Sequence, residues 1–379
     1  MRVLLIGEYN RSHFFLKEGL QELGHEVTVI GLNDGFKKVA VDISLDQNYT
    51  SGIKKKIKVL LHKLFNIDLH SKSIKKQILK NQSQLKGYDI VQFINESSFL
   101  CTPKIECEIF DLIKSWNNKV FLLSCGTDYI SIKYAYDKIP KYSLLTPYFE
   151  GKGSKNNYQA PLKYLQEDFK KLHKHIYKNI AGVIASDLDY HLPLKNHPKY
   201  LGLAPNPVKI LPPNPIKEIK GKIIIFHGIN LYNYYKKGND IFEKALEILQ
   251  KKHKNNISII TVKNIPYNEY IKSFDAAHIL LDQVYSYDQG FNALEAMAKG
   301  KVVFTGAETE WLSLHNLKED TVAINAIPDP QQIAKKLEWL ILNPDKIIAI
   351  SNKAQEHVIK NHNYIKSAHK YIDLWNSAN

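Results

Sequence analysis

The chain has 379 residues, 44% apolar and 24% charged, which excludes wholesale disorder, a collagen-like rod and a coiled coil. Lys and Arg number 52 against 38 Asp and Glu, so the net charge is +14 and the expected partner is anionic: a nucleotide phosphate, a nucleic acid or an acidic membrane face. Three cysteines (Cys101, Cys107, Cys125) cannot make a disulfide framework and lack zinc spacing, and no apolar run nears the roughly 20 residues that cross a bilayer, so the expected setting is the cytoplasm.

In chain order, Arg2-Val-Leu-Leu-Ile6 reads as a buried parallel strand. A polar loop from Gly7, a helix capped by Ser12 and stopped at Gly24, and a strand over 26–30 complete a β-α-β unit. Further strands are expected over 88–93, 119–124 and 180–185, with a Lys-rich helical stretch over 53–80 and a helix over 105–116. A composition break comes near residue 193, where Pro193, Pro198, Pro205, Pro207, Pro212, Pro213 and Pro215 predict a connector with at most a short edge strand. The pattern then restarts: strands over 222–227, 257–262, 278–282 and 301–305, helices over 240–250, 268–274 and 290–299, and a mostly helical tail over 331–375 interrupted at Pro344. The expectation is α/β: two Rossmann-like doubly wound domains, 1–200 and 201–355, facing each other across a cleft, and a C-terminal helix over 356–379 crossing back to the first.

The most specific stretch runs from Asp282 to Lys301: a strand end, a polar loop with Gly290, then a helix carrying Glu295. Such a helix start offers free N–H groups and a positive dipole end to an anion. By itself, Glu295 is most simply a glutamate that favours that dipole. No Gly-x-Gly-x-x-Gly follows the first strand, no Gly-Lys-Ser phosphate loop occurs, and no acidic pair has metal-binding spacing.

Ala293-Leu-Glu-Ala-Met-Ala298 followed by Gly300-Lys-Val-Val resembles the signature of GT-B glycosyltransferases of the GT4-like group, the glycosyl transferases of group 1. Residues 1–30, the segment with Ser186, Asp189-Tyr190 and Asn206-Pro207, and Phe226-His-Gly-Ile-Asn230 with Lys237-Gly238 resemble further parts of that family, in the right order. The resemblance implies that Glu295 binds the ribose hydroxyls of a nucleotide sugar and that Lys237 binds its diphosphate. It places Gly290, Phe291 and Asn292 near the phosphates and the donor sugar, with Gly7 and Arg11 facing them across the cleft. The family's usual acid, eight positions before the signature glutamate, is Tyr287 here, with Asp288 beside it, and its arginine, five before the lysine, is Tyr232. Asn230 or Lys236 is the expected substitute.

The implied activity is retaining, metal-independent transfer of a hexosyl group from a UDP- or GDP-linked sugar to a hydroxyl of a glycan or lipid-linked glycan. No cofactor beyond the donor is implied, and the setting is bacterial surface polysaccharide assembly at the inner membrane face. Asp128, in Ser124-Cys-Gly-Thr-Asp128, either meets a sugar hydroxyl or acceptor, or caps the next helix. Cys125 reads as a buried filler, His227 as structural or close to the diphosphate, and His13 and His25 as structural. The basic stretch from Lys54 to Lys80 is either a solvated face or a peripheral membrane contact. A nucleotide-sugar epimerase and a non-catalytic nucleotide- or glycan-binding scaffold are the alternatives on this fold. A nucleic-acid partner is not expected, because no zinc finger, RNP-like aromatic motif or helix-turn-helix is present.

Overall fold

Short apolar runs buried on both faces make the strands, which is the mark of a parallel sheet covered by helices on each side. The computed structural model describes residues 1–32, 39–49, 52–65, 68–209, 216 and 218–378, without the side chains of residues 53, 54, 57, 62, 63 and 65. Pro212, Pro213 and Pro215 of the expected connector, and the Lys54 side chain, lie outside the described residues.

The first sheet holds β1 (Arg2–Ile6), β2 (Glu26–Gly31), β3 (Ile43–Ser44), β4 (Ile90–Phe93), β5 (Lys119–Ser124), β6 (Gly182–Ala185) and β7 (Tyr200–Leu203). Its order is β3-β2-β1-β4-β5-β6-β7, all parallel. The second holds β8 (Ile223–Ile229), β9 (Ile257–Lys263), β10 (Ile279–Leu281), β11 (Val302–Thr305) and β12 (Ile324–Asn325), in the order β12-β11-β10-β8-β9, also parallel. Strand order turns back between β1 and β4 in one sheet and between β8 and β10 in the other. Loops that leave the carboxyl ends of strands at such switch points open into a crevice. The loops after β1, β8 and β10 carry Arg11, Asn230, Lys237 and Gly290.

Several boundaries differ from the sequence expectation. Ser12 is not a cap: helix Ser12–Glu22 begins with it, and Arg11 before it is left-handed at φ 74° with no side-chain cap. The first sheet runs past the expected break, because Pro193 sits in the last turn of helix Leu188–Leu194 and β7 follows as an edge strand. The Lys-rich stretch is two helices, Gly52–Phe65 and Leu69–Lys80, the second capped by Asp68, whose Oδ1 accepts from the His70 amide at 3.1 Å.

Two segments join the sheets side by side. The Val208 amide donates to the His362 carbonyl at 2.7 Å, and the Tyr364 amide donates to the Val208 carbonyl at 3.2 Å. Beyond this crossing, helix Tyr364–Ser377 packs on helix Ser12–Glu22, so closely that a Cβ on Gly19 would lie 2.3 Å from the Tyr364 carbonyl oxygen. Trp375 is buried against Phe121 and Tyr371 beside the first sheet.

Candidate functional site

The helix Phe291–Ala298 starts at Gly290, in the crevice between the sheets. Gly290 and Phe291 each line three of the four cavities that meet there. The cavity on the second domain, about 570 Å³, is lined by Asn230, Lys237, Tyr270, Asp282, Gly290 and Asn292 among others. Asp282, buried just past β10, accepts from Lys237 Nζ at 3.0 Å, Asn292 Nδ2 at 3.2 Å and Thr305 Oγ1 at 3.3 Å. The Tyr270 hydroxyl donates to Asn292 Oδ1 at 3.0 Å. Lys237 thus presents an ammonium, one-third exposed, beside the free N–H groups of a helix start. Its backbone is held as well. The Val284 amide donates to the Lys237 carbonyl at 3.0 Å, and the next residue, Gly238, turns the chain at φ 72° where a Cβ would come within 2.6 Å of Val284.

Glu295 and Arg11 line a neighbouring cavity of about 230 Å³. The Tyr267 hydroxyl donates to Glu295 Oε1 at 3.3 Å, and Arg11 Nη1 lies 3.9 Å from the same oxygen. The guanidinium also faces the Tyr267 ring at 5.8 Å. An arginine of the first domain therefore meets the signature glutamate of the second.

A third cavity, about 550 Å³, belongs mainly to the first domain and is lined by Tyr9, Asn10, Cys125, Gly126 and Asp187. Burial pushes the Cys125 thiol up to about 12, so it stays protonated and unreactive. A fourth, about 420 Å³, lies between the domains and takes in Lys236, Tyr287 and Gln289.

Four residues expected at the site, Gly7, His227, Asp128 and Asp288, hold structural contacts in the fold. Gly7 lines none of these cavities. Its φ of 86° and a Cβ position 2.4 Å from Ile94 make it the turn that lets the next residues enter the crevice. His227 is buried within β8 and donates from Nε2 to Asn239 Oδ1 at 2.9 Å, bracing the start of helix Asn239–His253; burial lowers its pKa and keeps it neutral. Asp128 is a cap: Oδ1 accepts from the Ser131 amide at 2.7 Å and Oδ2 from the Ser124 hydroxyl. Asp288 ties the domains together, accepting from the Leu188 amide at 3.0 Å, and burial raises its carboxyl to about 7. Lys236 turns away from the Lys237 cavity, its ammonium 4.1 Å over the Tyr232 ring. Tyr287 does line a cavity, but its hydroxyl accepts from the Lys141 amide of the first domain at 2.8 Å. Asn230, Lys237, Gly290, Phe291 and Asn292 do share one cavity.

Sequence reasoning missed Asp282, Tyr267, Tyr270 and Asn10. Asp282 had a signal, being the polar residue that ends an apolar strand. The tyrosines had none, since they arrive from a separate helix, Tyr267–Ala276. Among the described residues, no group of three or more His, Cys, Asp or Glu could hold a metal ion, and no helix is long and apolar enough to cross a membrane.

Residues 236–373 match the family model described as glycosyl transferase-like. No curated protein matches the chain. Among solved structures, it resembles sucrose-phosphate synthase from Thermosynechococcus elongatus (TM-score 0.64, 14% identity, 99% of this chain and 98% of that one). It also resembles Anabaena HepE in complex with UDP and glucose (0.56, 11%, 100% of each chain). A third is WaaG, a glycosyltransferase involved in lipopolysaccharide biosynthesis (0.56, 13%, 99% of each). Identities this low speak for the fold alone.

Proposed function

We propose, from the premise that this chain is a group 1 glycosyltransferase with the GT-B fold, that it moves a hexosyl group from a UDP- or GDP-linked donor to a hydroxyl of a glycan or lipid-linked glycan. The transfer retains configuration, uses no metal and serves bacterial surface polysaccharide assembly at the cytoplasmic membrane face. The observation that carries this reading is the convergence of Lys237, held by Asp282, with the start of helix Phe291–Ala298 in one cavity, and Glu295 on the same helix beside it. HepE, solved with UDP and glucose, and WaaG, of lipopolysaccharide biosynthesis, support the donor and the setting.

The donor diphosphate lies against Lys237 and the helix start, where charge grows as the bond from phosphate oxygen to the sugar's anomeric carbon breaks. The acceptor oxygen bonds to that carbon on the same face, and its proton passes to the departing phosphate. Glu295 accepts from the ribose hydroxyls. The side chains supply position and electrostatics, and the two domains exclude water.

Calorimetric titration with UDP, GDP, ADP and CMP tests this. One nucleotide is expected to bind, and Glu295→Ala to weaken it about tenfold or more, the worth of a hydrogen bond to a charged group. Failure of all four to bind the folded protein would replace this reading with a non-catalytic scaffold.

The membrane contact rests on residues 52–80, which hold nine lysines and one acid. Val59, Leu60, Leu64 and Leu79 are exposed among them, and Lys72, Lys75, Lys76 and Lys104 line a groove of about 510 Å³. Apolar residues for the acyl boundary and ammonium groups for phosphates suit an anionic bilayer. The protein is expected to sediment with phosphatidylglycerol vesicles but not phosphatidylcholine vesicles, and the Leu60→Glu/Leu64→Glu variant to stay in solution. Equal behaviour on both lipids would make the stretch a solvated face.

A further inference from the structure

The cavity of about 420 Å³ between the domains differs in chemistry from the one beside Lys237. Six tyrosines line it: Tyr134, Tyr142 and Tyr190 from the first domain, and Tyr232, Tyr285 and Tyr287 from the second. Tyrosine rings suit the C–H faces of a sugar, and their hydroxyls suit its edge. The cavity is continuous with the nucleotide side, since Asn233, Lys237, Gln283 and Gly290 line both. A sugar attached to a diphosphate at Lys237 reaches it by passing Gly290. Tyr287, which stands where the family resemblance puts the acid nearest the donor sugar, is part of its wall.

One cation in this wall has no anionic partner among the described residues. Lys236 is half-buried, and its ammonium sits 4.1 Å over the Tyr232 ring. Among the described residues no carboxylate pairs with it. Burial alone lowers its pKa to about 8, with no acid opposing the shift.

The acids of the same wall do not offset Lys236. Asp189 accepts from the Ser286 hydroxyl and from the Tyr287 amide at 3.0 Å. Asp187 accepts from the Asp189 amide at 3.1 Å, and burial beside Asp189 and Asp288 pushes its carboxyl far above the usual range, towards the neutral acid. Lys237 is matched by Asp282. One ammonium with no ion-pair partner among the described residues therefore lines the sugar side of the cleft. A single cation suits a carboxylate, whereas a phosphate monoester carries about −1.5 to −2.

We propose that the sugar carried by the nucleotide donor is a sugar acid of the hexuronate class, whose carboxylate pairs with Lys236 in this tyrosine-lined cavity. The proposal rests on the nucleotide-sugar reading above and adds the class of sugar transferred.

Calorimetry on two donor pairs, UDP-glucuronate against UDP-glucose and GDP-mannuronate against GDP-mannose, with UDP and GDP as references, tests it. In the pair whose nucleotide binds, the uronate form is expected to bind about tenfold tighter or more, the worth of one charge-assisted bond. In Lys236→Met the ratio of the two affinities, which cancels any change in nucleotide binding, is expected to fall to near one. Equal or weaker binding of the uronate, or a preference that survives Lys236→Met, overturns the proposal while leaving the nucleotide site standing. Failure of both UDP and GDP to bind overturns it together with the donor reading it rests on.

Discussion

Replacing Lys237 with glutamine is expected to lower kcat by about 10²–10³, with a much smaller change in KM, the effect of removing one preorganised donor from a developing anion. Glutamine is the informative choice. Asp282 is buried and bonded to Lys237 at 3.0 Å, so a truncation would strand its carboxylate and confuse instability with lost catalysis. A glutamine amide still donates to Asp282 but carries no charge, and Asn292 and Thr305 continue to hold the carboxylate. Steady-state rates with the donor identified by calorimetry, alongside a melting curve, check this. A kcat within tenfold of the parent would mean that the helix start alone manages the leaving group.

Trp375→Ala is expected to destabilise the protein by about 3–5 kcal/mol, the usual cost of emptying a large aromatic site in a core. Trp375 lies in the last helix, yet its ring packs on Phe121 of the first sheet. It also starts a hydrogen-bond chain that ends on the turn after β1. Its Nε1 donates to Gln92 Oε1 at 3.0 Å, Gln92 Nε2 donates to His13 Nε2 at 3.1 Å, and His13 Nδ1 donates to the Gly7 carbonyl at 2.8 Å. Burial holds the imidazole pKa down at about 4, so one ring nitrogen accepts while the other donates. Urea unfolding of the variant gives the loss directly. Trp375→Phe, which keeps most of the volume but strips Gln92 Oε1 of its donor, is expected to cost less, about 1–3 kcal/mol. A loss below about 1 kcal/mol in Trp375→Ala would show that the last helix is merely laid on the first domain.

Much of the site was legible because its signals are local. A strand, a glycine-bearing loop and a helix start in succession place Gly290, Phe291 and Asn292 at an anion-binding corner, whatever lies elsewhere in the chain. Lys237 was legible for the same reason, standing before Gly238 at the mouth of another strand-to-helix loop. Asp128, Asp288 and His227 were not separable from site residues by local reading. A carboxylate or imidazole after a strand has the same sequence context whether it meets a ligand or a backbone amide. For Asp288 the deciding partner is the amide of Leu188, in the other domain.

The sequence by itself determined the two parallel α/β layers, since the hydrophobic runs, glycine turns and helix periods that make them act within a few residues. It also determined which loops enter the crevice, because parallel strands put the loops at their carboxyl ends on one side. Only the tertiary structure decided which polar groups in those loops are spent. Hydrogen bonds are short-ranged and each oxygen or N–H accommodates few partners, so whether a side chain is available to a ligand depends on groups that folding brings in from far along the chain. That pairing matches Lys237 with Asp282, faces Arg11 toward Glu295, and leaves Lys236 in the wall of the tyrosine-lined cavity without an acid beside it.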